Sequence, residues 1–180
     1  VIALVLGGAR SGKSEVAESL AARLAAEVAG GSVTYVATAA DPGDDPEWAA
    51  RIAVHRERRP PGWRTLEAGA GDDLALVLGS LEGVVLVDSL GSWLAGREGY
   101  GADGAALCRA LLARTSPTVV VSEEVGLGVH PSSAAGRRFR DALGALNQQV
   151  AEVADPVWLV VAGRCLPLAR RDGDPGGVWL

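Results

Sequence analysis

Residues 1–14, VIALVLGGARSGKS, decide the fold. Val1 to Leu6 form an apolar run of strand length that Gly7 interrupts, and a short polar loop then leads to Gly12-Lys13-Ser14. The spacing is that of G-x-x-x-x-G-K-[ST]. In such a loop, glycines let backbone N–H groups wrap a polyphosphate, the lysine reaches the β and γ phosphates, and the serine hydroxyl meets Mg2+. Beyond it, Val16, Leu20, Leu24 and Val28 recur at helical spacing, so residues 14–28 are expected to form a helix whose N-terminus faces the loop, closed by Gly30-Gly31. Strand, loop and helix in register separate a phosphate-binding loop from an incidental glycine-rich turn.

Of the 17 basic residues, Lys13 is the one lysine and the rest are arginine. A chain this biased toward arginine keeps lysine where a compact, flexible ammonium must fit among phosphate oxygens. The 180 residues suit one domain, expected over 1–180, and 48% hydrophobic against 22% charged residues is the balance of a soluble globular chain. No apolar run reaches the roughly 18 residues of a membrane span, and the N-terminus reads as a core strand without the basic flank of a signal peptide, so a cytoplasmic protein with no membrane insertion is expected. A net charge of −5 argues against a nucleic-acid partner, whose phosphates need a basic surface. Cys108 and Cys165 lie far apart, near no histidine cluster, and read as reduced core thiols.

Along the chain, strands are expected at 32–37, 63–66, 84–88, 118–122 and 157–162, and helices at 47–58, 72–81, 102–114 and 134–153. Trp48, Ile52 and His55 fall on one side of the 47–58 segment, which Pro60-Pro61 ends, and the acidic stretch 41–46 before it reads as a surface loop. Phe139, Leu143, Leu146 and Val150 share a face of the last helix. The tail, 163–180, reads as loop-rich and partly mobile. Alternating strands and helices imply a mostly parallel sheet with right-handed crossovers, an α/β fold of the phosphate-loop NTPase type. Its strand carboxyl ends then share one edge, where the phosphate loop, Thr38, Asp88 and Glu123 converge.

Asp88 ends the run Val84-Val85-Leu86-Val87, the usual presentation of the acid that organises a nucleotide's metal. A cap or turn aspartate for the segment 89–95 is the lesser reading, and the two roles can coexist. His55 sits among Arg56, Arg58 and Arg59 on a polar stretch, where a neutral imidazole is a nucleophile or general base toward phosphorus; a solvated surface histidine is the competing reading. His130, beside Pro131, reads as structural.

Six segments together resemble one known family: GGARSGKS at 7–14, YVATA at 35–39, the H-R-x-x-R-P-x-x-W-x-T-x-E array from His55 to Glu67, VDSLGSWLA at 87–95, SEEVGLGVHP at 122–131 and RRFRDALGALNQ at 137–148. The family is the bifunctional adenosylcobinamide kinase and adenosylcobinamide-phosphate guanylyltransferase of cobalamin biosynthesis. The resemblance implies that ATP or GTP phosphorylates adenosylcobinamide. It also implies that His55 accepts GMP from GTP, releasing pyrophosphate, and passes it to the substrate phosphate to give adenosylcobinamide-GDP. By position, Gly7, Gly8, Ala9, Arg10, Ser11, Gly12, Lys13 and Ser14 hold the nucleotide phosphates. Ala37, Thr38 and Ala39, with Arg56, Glu57, Arg58 and Arg59, line the GTP site, and Glu67 and Asp88 complete it. Ser14 and Asp88 are the implied Mg2+ ligands, His55 and Lys13 the catalytic residues. A RecA-like sheet with an antiparallel edge, assembled as a homotrimer, belongs to the same implication. A small-molecule kinase without nucleotidyl transfer and a non-catalytic nucleotide-binding module are the alternatives.

Overall fold

Short β-branched runs that end in a small or acidic residue become the strands of one sheet. The computed structural model describes residues 1–28, 31–39, 46–69 and 71–170. Its strands are β1 (Ile2–Gly7), β2 (Val33–Ala37), β3 (Arg64–Glu67), β4 (Val84–Asp88), β5 (Thr118–Glu123), β6 (Val157–Val161) and β7 (Arg164–Pro167), in the order β3-β2-β4-β5-β1-β6-β7. Strands β1 to β6 run parallel, and β7 pairs antiparallel to β6 at the edge. The helices are α1 (Lys13–Ala26), α2 (Pro46–Arg58), α3 (Leu74–Gly79), α4 (Leu90–Ala95), α5 (Gly104–Ala113) and α6 (Ala134–Val153).

The central strands are buried on both faces, as parallel strands covered by helices must be. Leu4, Leu6, Val85, Val87 and Val120 meet Leu74, Leu78, Trp93, Leu107, Leu111, Leu143, Leu146 and Val150 on one side. Ala3, Val5, Leu86, Val119 and Val121 meet Ala17, Leu20 and Ala21 of α1 on the other. Among the described residues no helix is long and apolar enough to cross a membrane.

Three expectations need correction. Helix α1 stops at Ala26, and Val28 is exposed, so its buried stripe is Ala17-Leu20-Ala21 and not one that includes Val28. The reason is length: 14 residues at about 1.5 Å each match a six-residue strand at about 3.3 Å each, and further turns overrun the sheet. The tail does not begin as loop at 163. Ala162 and Gly163 both take positive φ, the two-residue turn that a tight hairpin uses, and Arg164 to Pro167 return as β7. Cys165 on that outermost strand is therefore exposed rather than a core thiol, whereas Cys108 is half-buried. Gly30, the 41–45 loop, the Trp48 side chain and residues 171–180 lie outside the described residues.

The hairpin matters to the site. The Gly163 N–H donates to the Ser11 carbonyl at 2.8 Å, and a Cβ on Gly12 would stand 3.2 Å from the Gly163 Cα, so β6 and β7 brace the phosphate loop from behind. Leu143, fully buried between α6 and the sheet, should cost about 2–5 kcal/mol when truncated to Ala. Leu127, 79% exposed, should change stability by less than about 0.5 kcal/mol under the same truncation, both read from urea unfolding midpoints.

Candidate active site

The carboxyl ends of β1, β2, β4 and β5 open on one edge, and the turns that follow them supply the site. Gly7 must be glycine because a Cβ there would lie 2.4 Å from Ser11 Oγ and 2.8 Å from the Val160 carbonyl. Gly12 caps α1 at φ 92°, a left-handed conformation that side chains resist, and so aims the free N–H groups of the helix start into the cleft. Lys13 Nζ donates to the Gly8 carbonyl at 3.3 Å and stands 3.6 Å from Glu123 Oε1. The ammonium is held by these two oxygens.

Asp88 links the phosphate loop to α2. Ser14 Oγ is 3.5 Å from Asp88 Oδ1, the Tyr35 hydroxyl donates to Oδ2 at 2.5 Å, and His55 Nδ1 lies 3.5 Å from that same Oδ2. Burial alone would raise the Asp88 carboxyl, but hydrogen bonds from His55 and Tyr35 and the charges of His55 and Lys13 outweigh it and hold the group below its ordinary value. Burial, aided by the adjacent Asp88 charge, pushes the Tyr35 phenol far up, so Tyr35 stays a donor. Thr38 is buried and off the cleft wall. Its Oγ1 accepts from the Ser89 N–H at 2.7 Å and donates to the Ser89 carbonyl at 2.6 Å, which fixes the backbone beside Asp88. Ser89, not Asp88, caps α4, accepting from Ser92 N–H.

The arginines in and just after α2 divide their work. Arg58 reaches across to α1, donating to Glu15 at 3.2 Å and Glu18 at 3.0 Å, and so ties the helix carrying His55 to the helix that starts at the loop. Burial raises the Glu18 carboxyl, with Arg58 opposing. Arg56 pairs with Glu67 at the end of β3. Arg59 stacks over the Tyr35 ring at 3.9 Å and donates to Thr65, and its Nε is buried without a hydrogen-bond partner among the described residues. Glu57 is exposed and off the cleft wall.

These groups line a cleft of about 1670 Å³. Ala9 to Ser14, Ala37, Ala39, His55, Arg56, Arg58, Arg59, Glu67 and Asp88 are on its wall; Gly7, Gly8 and Thr38 stand behind it. The volume exceeds the roughly 300–1,000 Å³ of an ordinary small-molecule pocket, which leaves room for a second ligand beside a nucleotide. Sequence reasoning placed Glu123 at the converging sheet edge without giving its carboxylate a role, and did not single out Tyr35 or Ser89 as site groups. Tyr35 lies inside YVATA and Glu123 ends a predicted strand, so position at a strand's carboxyl end was the available signal.

Residues 3–168 match the family model described as cobinamide kinase / cobinamide phosphate guanyltransferase. The chain belongs to that family. Curated relatives span the same length: the bifunctional adenosylcobalamin biosynthesis protein CobP of Pseudomonas aeruginosa is 42% identical over 92% of this chain and 95% of its own. The bifunctional adenosylcobalamin biosynthesis proteins CobU of Escherichia coli and Salmonella typhimurium are each 36% identical over 89% of this chain and 95% of theirs. In fold, the flagellar accessory protein FlaH of Methanocaldococcus jannaschii aligns with a TM-score of 0.47 at 12% identity, over 91% of this chain and 74% of that one. Within the cobinamide kinase / guanyltransferase family, this member presents its phosphate loop and its His55 on one carboxylate.

The lowered Asp88 value has a consequence for stability. Its contribution is complete above the ordinary carboxylate range and is lost as pH falls from about 5 through the folded-state value. Urea midpoints measured between neutral and strongly acid pH should therefore fall less steeply in Asp88→Asn than in the parent; equal slopes would refute the assigned direction.

Proposed function

We propose that this chain is a two-reaction enzyme acting on adenosylcobinamide: it transfers the γ-phosphoryl group of ATP or GTP to the substrate alcohol, and then GMP from GTP to the resulting phosphate. The observation that carries the reading is the single Asp88 carboxylate with Ser14 at 3.5 Å on one oxygen and His55 at 3.5 Å on the other. Phosphates cradled by the loop and an imidazole nucleophile then belong to one site.

In the guanylyl step, Asp88 accepts the Nδ1 proton of His55, which selects the tautomer whose Nε2 lone pair is free. Nε2 attacks the α-phosphorus, a P–N bond forms, the α–β bridging P–O bond breaks, and pyrophosphate leaves with the electron pair. The substrate phosphate oxygen then attacks the same phosphorus, releasing Nε2 and giving adenosylcobinamide-GDP. Lys13 and the N-terminus of α1 neutralise phosphate charge in both reactions, where positioning and electrostatics carry most of the acceleration. Arg59, on the cleft wall over the Tyr35 ring and not committed to a carboxylate as Arg58 is to Glu15 and Glu18, would serve as a further nucleotide contact.

The donor set beside the loop fits Mg2+. A serine hydroxyl and a carboxylate supply hard oxygens, and no group of three acidic, histidine or cysteine ligands exists among the described residues to make an all-protein cage, so phosphate oxygens and water must complete the shell. Ser14 and Asp88 would hold the ion, which when bound offsets charge on the transferring phosphoryl group. A homotrimer and a cytoplasmic location are part of the same proposal and rest on the family.

Incubation with GTP should add one GMP moiety, less water, to the intact mass of the parent, in an acid-labile and base-stable linkage. His55→Ala should abolish the adduct while leaving phosphorylation of adenosylcobinamide measurable. An adduct of unchanged yield in His55→Ala contradicts the covalent step.

A further inference from the structure

We infer that Glu123 is the general base of the kinase half-reaction, receiving the proton of the substrate alcohol as its oxygen attacks the γ-phosphorus. The inference rests on the kinase reading above and assigns that reading a residue. In the balanced step, the alcohol O–H proton passes to a Glu123 oxygen and the new O–P bond forms. The bond from the γ-phosphorus to its bridging oxygen breaks, and the nucleoside diphosphate leaves with the electron pair.

The position of this carboxylate calls for a chemical reason. It stands 3.6 Å from Lys13, the ammonium meant for phosphate, with its side chain 27% exposed, and a negative charge there opposes the binding of a polyanion. Other acids on the cleft wall have partners elsewhere. Glu15 is held by Arg58 and Glu67 by Arg56, while Asp88 is shared among Ser14, Tyr35 and His55. Glu124 turns away to accept from the Gly126 N–H at 2.7 Å.

The chain also builds Glu123 into one pose. Both carboxylate oxygens lie 2.9 Å from Ser89 Oγ. The buried Asn147 donates from Nδ2 to the Glu123 carbonyl at 3.0 Å and is itself held by Ser122 Oγ at 2.6 Å, pinning the end of β5. Gly91 leaves the space: a Cβ there would lie 1.9 Å from Glu123 Oε2. On this side the cleft is walled by Gly91, Ser92 and Phe139 from α4 and α6, apart from the α2 wall that carries His55. The two nucleophiles, an alcohol and an imidazole, then approach the bound nucleotide along different walls, and each has its own carboxylate.

The test compares the parent, Glu123→Gln and Glu123→Asp in two assays on the same preparation: GMP adduct formation from GTP alone, and phosphorylation of adenosylcobinamide across pH. Glu123→Gln should lower kinase kcat by about 100- to 10,000-fold, with nucleotide KM not raised and the acid limb of the pH profile lost. It should still form the adduct, which also reports that it folds. Glu123→Asp, which keeps the acid but withdraws it, should recover part of the rate and restore the acid limb. Kinase turnover within a few-fold of the parent in Glu123→Gln overturns the inference. So does an equal loss of both activities, which would mark a merely structural role, or recovery by raised Mg2+, which would mark a metal ligand. A parent chain that forms the adduct but phosphorylates no alcohol overturns the kinase reading itself, and the inference with it.

Discussion

One carboxylate, at the end of the interior strand β4, is where the structure's separate parts meet. Asp88 has the loop serine on one oxygen and the Tyr35 hydroxyl and His55 imidazole on the other, and its lowered proton affinity keeps it an acceptor for all three. Arg59 lies over the Tyr35 ring, so the basic turn of α2 reaches Asp88 by two routes, directly through His55 and indirectly through the phenol. A buried charge of this kind is tolerated because it is so fully hydrogen-bonded.

The fold serves that placement. Apolar side chains on both faces fix the register of β1, β2, β4 and β5, and the register brings Gly7 beside Glu123 and Ala37 beside Asp88. Behind the loop, the β6–β7 hairpin holds Ser11; above it, Arg58 clamps α2 to α1 through Glu15 and Glu18. Exposed ion pairs contribute little individually. Arg58 and Glu18 are less exposed, at 30% and 13% of their side-chain surface, and their value lies in fixing the distance between helix and loop.

Legibility in the sequence followed how local each signal was. The phosphate loop is contiguous, and α6 carries an apolar period through five turns, so both ends of 134–153 were readable. Strand β3 was displaced by one residue, because Trp63 belongs to the preceding turn, where its N–H donates to the Pro60 carbonyl. Pattern alone missed strand β7, since all four of its residues are exposed and it ends in proline, leaving no alternation to read; the antiparallel edge it forms was implied only by the family resemblance. At the site, convergence on one sheet edge followed from topology alone. The pairing of Glu123 with Lys13 and Ser89, and of Tyr35 with Asp88, depends on side-chain reach between residues 34 to 110 positions apart, which no local pattern encodes.

In the proposed chemistry Asp88 does more than bring the imidazole near: it decides which ring nitrogen is free. The most direct measurement is NMR of the guanylylated chain carrying ¹⁵N-labelled histidine, reading which nitrogen of His55 is coupled to phosphorus. The account predicts a phosphoramidate at Nε2, with Nδ1 still protonated toward Asp88. Phosphorus bonded to Nδ1 would contradict it.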